Sequence, residues 1–258
     1  MMKTLVFDIE TVPDVALGRR LFGFEDVNDS DVAKAMAFRQ LQRQGSDFLP
    51  LYQHRIVAIS VVLSSSNDLK IWSLGSSTSD EEELVQRFFD GLDKYSPELV
   101  SWNGAGFDLP VLHYRSLLHG VPSPRYWEMG DEDRSFRYNN YLNKYHWRHI
   151  DLMDVLSGFQ PRAKAGLNDI AVMLGFPGKL GMQGDQVWDY YQQGEIEKIR
   201  DYCETDALNT HLIFLRFQYI RGLLDQQQLQ SEYARVREAL AASDATHLKE
   251  FLSAWELQ

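Results

Sequence analysis

Cysteine is almost absent from this chain: Cys203 stands alone among 258 residues. One thiol cannot form an internal disulfide, so the fold must be held by its core, and a reducing, cytoplasmic setting is expected. Long apolar runs are missing too, which excludes an ordinary membrane-spanning helix. The start, Met1-Met2-Lys3-Thr4-Leu5-Val6-Phe7, begins like an export leader, but Asp8 and Glu10 interrupt it, so no export signal is expected. Basic charge is scarce: 26 Lys and Arg against 37 Asp and Glu leave a net charge of −11. That balance argues against a long footprint on duplex nucleic acid, whose affinity comes largely from cations on phosphate. Any grip on such a ligand is expected to be local and short. No repeat, low-complexity tract or separating linker is visible, and no protein partner can be read.

What is present suits one α/β domain over residues 1–258. Its hydrophobic content of 44% is ample for a core, and a charged content of 24% is ordinary. Residues 3–9 read as a buried strand ending at Asp8-Ile9-Glu10 and stopped by Pro13 and Asp14. Residues 14–50 lack strand character and form an insertion. Within it, Val32, Ala35, Met36, Phe38 and Leu41 mark the apolar face of a helix over Ser30 to Gln44. Arg55 to Leu63 and Leu69 to Leu74 predict a hairpin around the Ser64-Ser65-Ser66-Asn67-Asp68 turn. Ser79-Asp80-Glu81-Glu82 has the form of a capping box for a helix carrying Leu84, Val85, Phe88, Phe89 and Leu92.

Further along, Leu99 to Trp102 predicts a strand, Leu109 to His119 a helix closed by Gly120, and Arg148 to Ile150 a last strand. Residues 125–147 are aromatic without a clean period. From Leu167 the chain reads as helical, broken at Phe176-Pro177-Gly178, with a long helix over 195–221 and a helical extension over 223–258.

Three short pieces carry chemistry: Asp8-Ile9-Glu10, Asn103-Gly104-Ala105-Gly106-Phe107-Asp108 and Tyr202-Cys203-Glu204-Thr205-Asp206. Asp8 and Glu10 are two apart on a strand, so they share a face, roughly 6.5–7 Å apart at the backbone. Val6 and the neighbours of Phe7 are assigned to the other face. Tyr202 and Asp206 are four apart on a helix, about 40° apart around its axis, and face one site. Asp108 opens a helix, either as a cap or as a site acid. Gly104 and Gly106 permit tight turning and close approach of a ligand, and Asn103 is a turn residue or a substrate contact. Four carboxylates converging on one point repel unless cations lie between them. Hard oxygen ligands suit Mg²⁺ or Mn²⁺, and two such ions about 3.5–4 Å apart are the usual apparatus for in-line attack on a phosphodiester. A phenol beside them can hold the attacking water or help to deprotonate it.

In this order the three pieces resemble the 3′–5′ exonucleases of the DEDD superfamily, most closely the stand-alone enzymes related to the exonuclease domain of family B DNA polymerases. Phe7-Asp8-Ile9-Glu10-Thr11-Val12-Pro13-Asp14, Ile150-Asp151-Leu152-Met153-Asp154, Pro177-Gly178-Lys179 and the stretch from Asp201 to Asn209 take part in the resemblance. One branch of the superfamily places histidine five residues before the last aspartate; here that residue is Asp201, whereas Tyr202 fits the tyrosine branch. The resemblance implies a ribonuclease H-like mixed sheet of about five strands with flanking helices. It also implies two Mg²⁺ or Mn²⁺ ions, and hydrolysis of single-stranded DNA or RNA from the 3′ end.

By the same resemblance, Asp8 bridges both metals, Glu10 and Asp206 complete the one that activates water, and Asp108 holds the second. Tyr202 orients the nucleophile, and Thr11, Asn103 and Phe107 touch the terminal nucleotide, Phe107 by stacking. Lys179, between Gly178 and Gly181, is a candidate phosphate contact, while Asp151 and Asp154 are read as structural. A ribonuclease H-type endonuclease and a non-catalytic nucleic-acid-binding protein are the rival readings.

Overall fold

Thr4–Pro13 forms a ten-residue strand, β1, whose apolar and β-branched residues suit a position with neighbours on both edges. The computed structural model describes residues 3–66 and 68–257; Met1, Met2 and Asn67, named above, lie outside them. The strand runs past its expected end because β2 (His54–Ser64) continues beside it to the pair Pro13↔His54. Glu10 pairs with Ala58 and Thr11 with Ile56, so Val57 is an extra residue that bulges β2 beside the acidic end of β1. Asp14 then caps α1 (Val15–Phe22), an unforeseen helix, and Asn28 caps α2 (Asp29–Gln44).

The two helices cross closely. A Cβ at Gly18 would fall 2.3 Å from Met36 Sδ. Val32, Met36 and Leu49 form a small core of their own. Phe38 and Leu41, expected on the buried face, are exposed at 58% and 46%, because α2 packs through Val32, Ala33 and Met36 alone.

The hairpin is completed by β3 (Leu69–Ser73), and α3 (Glu81–Tyr95) follows. Its cap lies one residue later than expected. Asp80, not Ser79, accepts from the backbone of Glu83, while Ser79 Oγ accepts from Ser76 N. This frame turns Glu81 inward. There Glu81 takes Arg115 Nε at 2.7 Å, Ile56 N at 2.6 Å and His119 Nε2 at 2.9 Å, while Arg115 Nη1 reaches Asp14 Oδ2 at 2.7 Å. A buried guanidinium thus ties the start of the insertion to the sheet.

Next come β4 (Glu98–Ser101), α4 (Asp108–His119) and α5 (Pro124–Trp127); the aromatic stretch after them is mostly turns, with Tyr126, Phe136 and Tyr141 buried against α3 and α4. β5 (His149–Asp151) leads into α6 (Leu152–Leu156), α7 (Leu167–Met173), α8 (Val187–Gln192), α9 (Ile196–Ile220), α10 (Gln226–Ala242) and α11 (Thr246–Glu256).

The five strands form one mixed sheet in the order β3-β2-β1-β4-β5. β1 and β2 are antiparallel, as are β2 and β3, whereas β4 and β5 run parallel to β1. This is the mixed five-stranded α/β architecture the sequence implies. Leu5, Phe7 and Ile9 pack on one face with α3 and α4, while Val6 packs on the other with α9 and α10. Val6 therefore shares the face of Asp8 and Glu10, contrary to the assignment above, as strict alternation along β1 demands. No helix among the described residues is long and apolar enough to cross a membrane.

Candidate active site

The central position of β1 brings three elements to its acidic end. Asp108, in the first turn of α4, accepts a hydrogen bond from Ile9 N at 3.2 Å, latching that helix to the strand between Asp8 and Glu10. The cap reading of Asp108 therefore falls: Phe107 flanks the helix without a side-chain cap, and the Asp108 carboxylate is turned to the sheet. From α9, Cys203 Sγ lies 3.3 Å from Asp8 O and 3.5 Å from Asp8 Oδ2, which sets Tyr202 and Asp206 over the same region. Asp8 borders, with Trp102, Asn103, Asn168, Lys179 and Asp206, a cleft of about 670 Å³.

The electrostatics reflect this convergence. Burial pushes Asp8 well above the usual carboxylate range, and the charges of Asp108, Glu10 and Asp206 push it further. Glu10 is raised in the same way, first by burial and then by Asp206. Burial lifts Asp108 to about 7. It lifts Asp206 to about 6, against the Lys179 ammonium and the Tyr202 hydroxyl, which pull it down. Asp206 Oδ1 is buried with no hydrogen-bond partner among the described residues. Such a set is unstable as four bare anions, and a divalent cation with hard-oxygen preference relieves it.

Ligand atoms of Asp8, Glu10 and Cys203 also lie within 4.8 Å of one another. Burial holds the Cys203 thiol well above its ordinary pKa, so it stays protonated and suits a hard cation poorly. The carboxylates fit a metal; the thiol serves as packing and a weak donor to Asp8.

Lys179 enters the site from the loop before α8. Its Nζ donates to Tyr202 Oη at 2.6 Å and lies 3.9 Å from Asp206 Oδ2. The loop is fixed by Asn168 and Asn209, which accept from Lys179 N at 3.0 Å and Gly178 N at 3.2 Å. Gly178 has φ +66°, and a Cβ there would sit 2.6 Å from Asn168 Oδ1, so the glycine is needed by the protein's own packing. Tyr202 is raised by burial, then by the charges of Asp206, Glu10 and Asp8, so its phenol stays protonated. A protonated phenol is suited to orienting water.

The turn before α4 is built by Asp151. Its Oδ1 accepts from Asn103 N at 3.0 Å and its Oδ2 from Ala105 N at 2.9 Å, the structural use expected of it. Asp154 pairs with Lys164 at 2.7 Å. Asn103 takes φ 65°, a turn conformation, while lining the cleft. A Cβ at Gly104 would lie 2.3 Å from Ser101 Oγ, and one at Gly106 2.6 Å from Asn103 Oδ1. These glycines admit the protein's own side chains, where a ligand's approach was expected.

Thr11 and Phe107 meet around a residue that the sequence did not single out. His54 Nδ1 lies 2.9 Å from Thr11 Oγ1, and its ring packs edge-on against Phe107 at 5.2 Å. Phe48, 57% exposed, packs on both rings at 5.3 and 5.9 Å. No local pattern marks His54 or Phe48, since each gains its meaning from contacts outside its own element.

Residues 46–255 match the family model described as a predicted 3′-5′ exonuclease related to the exonuclease domain of PolB. The matched span contains Asn103, Phe107, Asp108, Lys179, Tyr202 and Asp206, and begins after Asp8 and Glu10. A DNA polymerase of Archaeoglobus fulgidus is 25% identical over 161 residues, covering 61% of this chain and 19% of that protein. The DNA polymerase epsilon catalytic subunit of Saccharomyces cerevisiae is 24% identical over 149 residues, covering 54% of this chain and 6% of that one. The chain thus spans a small part of the curated relatives it matches. Among solved structures, the family B DNA polymerase of the archaeon Pyrobaculum calidifontis aligns with a TM-score of 0.49 and 15% identity, over 98% of this chain and 27% of that one.

Proposed function

The chain belongs to the family of predicted 3′-5′ exonucleases related to the exonuclease domain of PolB, and from that premise we propose that it hydrolyses the terminal phosphodiester of single-stranded DNA or RNA from the 3′ end, releasing nucleoside 5′-monophosphates. The observation that carries this reading is the convergence of Asp8, Glu10, Asp108 and Asp206 at the end of β1, with the Lys179 ammonium 3.9 Å from Asp206. Asp8, Glu10 and Asp206 would hold one Mg²⁺ or Mn²⁺ ion, and Asp8 with Asp108 a second. When bound, such ions stabilise charge on the phosphoryl oxygens and make water acidic.

The chain's own groups supply orientation. Tyr202 Oη accepts from Lys179 and its proton points towards Asp206, so the phenol would orient a water held beside that carboxylate. Lys179 also places positive charge beside Asp206, where a substrate phosphate would lie. Thr11, Asn103 and Phe107 would hold the terminal nucleotide, Phe107 by stacking. The insertion over residues 14–50 is proposed to gate the substrate groove, and the setting to be cytoplasmic.

The test is a time course with Mg²⁺ or Mn²⁺ on end-labelled linear and circular single strands, with chelator controls. Stepwise release of mononucleotides from the linear 3′ end is expected, with the circle intact. Cutting of the circle would favour a ribonuclease H-type endonuclease. Full activity after chelation would remove the metal assignment.

A further inference from the structure

The chain is acidic overall, yet its cations are not spread evenly. Between Asp133 and Asp169 lie six Lys and Arg against two acids, Asp151 and Asp154. Asp151 is committed to the turn before α4, and Asp154 to Lys164. In a protein of net charge −11 this stretch holds an excess of four positive charges. Lys144 and Arg162 are exposed, and neither pairs with a carboxylate among the described residues. The same stretch holds the aromatic run that had no period and that the acidic site does not use.

The basic stretch reaches the rim of the cleft. Met153 and Gly166 both line the cleft, and the chain between them leaves it as α6 and a loop. Lys164 Nζ lies 2.7 Å from Asp154 Oδ1, on the residue after Met153, so its ammonium stands at that rim. Asp154 O accepts from Phe159 N at 2.8 Å, which ties the turn after α6 back to the same place. Phe159 is held at φ 60°, a conformation that a bulky residue rarely adopts. Its half-buried ring packs edge-on against Tyr145 at 4.9 Å, and Lys144 Nζ lies 5.1 and 5.4 Å from the two centroids. Tyr145 itself is 65% exposed. A short series of contacts thus leads from the cleft to an open aromatic ring with cations beside it.

We propose that Lys144, Tyr145, Phe159, Arg162 and Lys164 form a second binding surface, which holds a single-stranded nucleic acid several nucleotides 5′ of the end in the cleft. This rests on the exonuclease reading above. The three cations take backbone phosphates, and the open face of Tyr145 takes a base by stacking, with Phe159 bracing the ring. Phosphates and base faces are common to DNA and RNA, so the surface is indifferent to sequence. The acids of the cleft repel a phosphodiester chain, and most of the protein surface does the same. A local basic surface at the rim is where such a protein can keep hold of a strand.

The test compares single strands of about 3 nucleotides, which fill the cleft alone, with strands of about 12, long enough to reach Tyr145. Both lengths are made as DNA and as RNA and labelled at the 5′ end. Equilibrium binding is read by fluorescence anisotropy with Ca²⁺ over a range of salt, and hydrolysis with Mg²⁺ or Mn²⁺.

The wild-type protein should bind the long strand about tenfold or more tightly than the short one. Lys144→Gln with Arg162→Gln should weaken the long strand about tenfold and lower its salt slope by about 1.4, the share of two phosphate contacts, while the short strand binds as before. Tyr145→Ala should weaken the long strand about fivefold at an unchanged salt slope. Lys70→Gln, on β3 at the opposite edge of the sheet from β5, removes a charge without touching this surface and should change nothing. Equal affinity for the two lengths, an equal loss on both, or a loss from Lys70→Gln as large as that from Lys144→Gln each overturns the proposal. Length-dependent binding that the variants reduce, with no hydrolysis of either strand, overturns the exonuclease reading alone.

Discussion

Two groups of buried and half-buried carboxylates gather around β1 and its continuation, and they are provided for in opposite ways. Asp14 and Glu81 are 6% and 4% exposed at the side chain, and both are bonded to Arg115, itself 5% exposed. Asp8, Glu10, Asp108 and Asp206 gather with one lysine among their charge partners, and Asp206 Oδ1 is orphaned. The first group is closed: its charge is answered within the chain, and it serves the fold. The second is open, and its unanswered charge is what a cation would answer. Buried acid alone does not mark a site; buried acid without a partner does.

Removing one acid from each network sharpens the contrast. Asp8→Ala should lower turnover by about 10³-fold or more, the several kcal/mol that ion-mediated charge stabilisation is worth. The metal-free protein should meanwhile melt no lower than wild type, because one of four repelling charges is gone. Turnover and a thermal melt in chelator check both halves, and a large fall in melting temperature would show that Asp8 belongs to the fold. Arg115→Met should do the reverse. Stripping the guanidinium from two buried acids is expected to cost about 3–5 kcal/mol in denaturant unfolding. Turnover per folded molecule should hold.

Two smaller effects probe the borders of the open group. Tyr202→Phe should slow single-turnover release of the 3′ nucleotide by about 10²-fold, the lower end for a positioning role. Metal binding, read by calorimetry, should be retained because the carboxylates remain; unchanged turnover would reduce the phenol to packing.

The smallest effect concerns His247 on α11, which bonds Asp201 at 2.9 Å and Glu204 at 2.8 Å on α9. Burial lowers its pKa, but the two carboxylates outweigh it and raise it from 6.5 to about 9. A histidine with a raised folded pKa stabilises fully below its unfolded pKa and loses that contribution as pH rises through the folded one. His247→Gln should therefore cost about 1 kcal/mol or less near neutrality. Denaturant melts of the two proteins should coincide by roughly pH 10.

The open group was legible in the sequence and the closed one was not, for a physical reason. Asp8 and Glu10 declare themselves by strand spacing, and Tyr202 and Asp206 by helical spacing, so local geometry carries the signal. Arg115 meets Asp14 and Glu81 across 101 and 34 residues, with no local period to announce it. The same limit hid His54 behind Thr11 and left the aim of Lys179 open. Where local pattern was trusted beyond its reach it misled. Phe38 and Leu41 satisfy a helical period yet face solvent, and the Ser79 capping box fits the sequence although Asp80 does the capping. The strands, the β2–β3 hairpin and the long helix were readable because each rests on a run of apolar residues, which one polar substitution does not disguise.

The contact of Cys203 with Asp8 joins residues 195 positions apart. Closing so long a loop is slow compared with zipping the β2–β3 hairpin, and on a ribosome it must also wait for α9 to be synthesised and to emerge. A nascent chain can therefore lay down β1 to β5 and collapse around Phe7 and Phe88 while Asp206 and Tyr202 are still missing. Under the proposed function, hydrolytic competence would be acquired only when α9 docks. A chain stalled before that point would leave Val6, Val62, Val100 and Ile150 without the α9 residues they pack against.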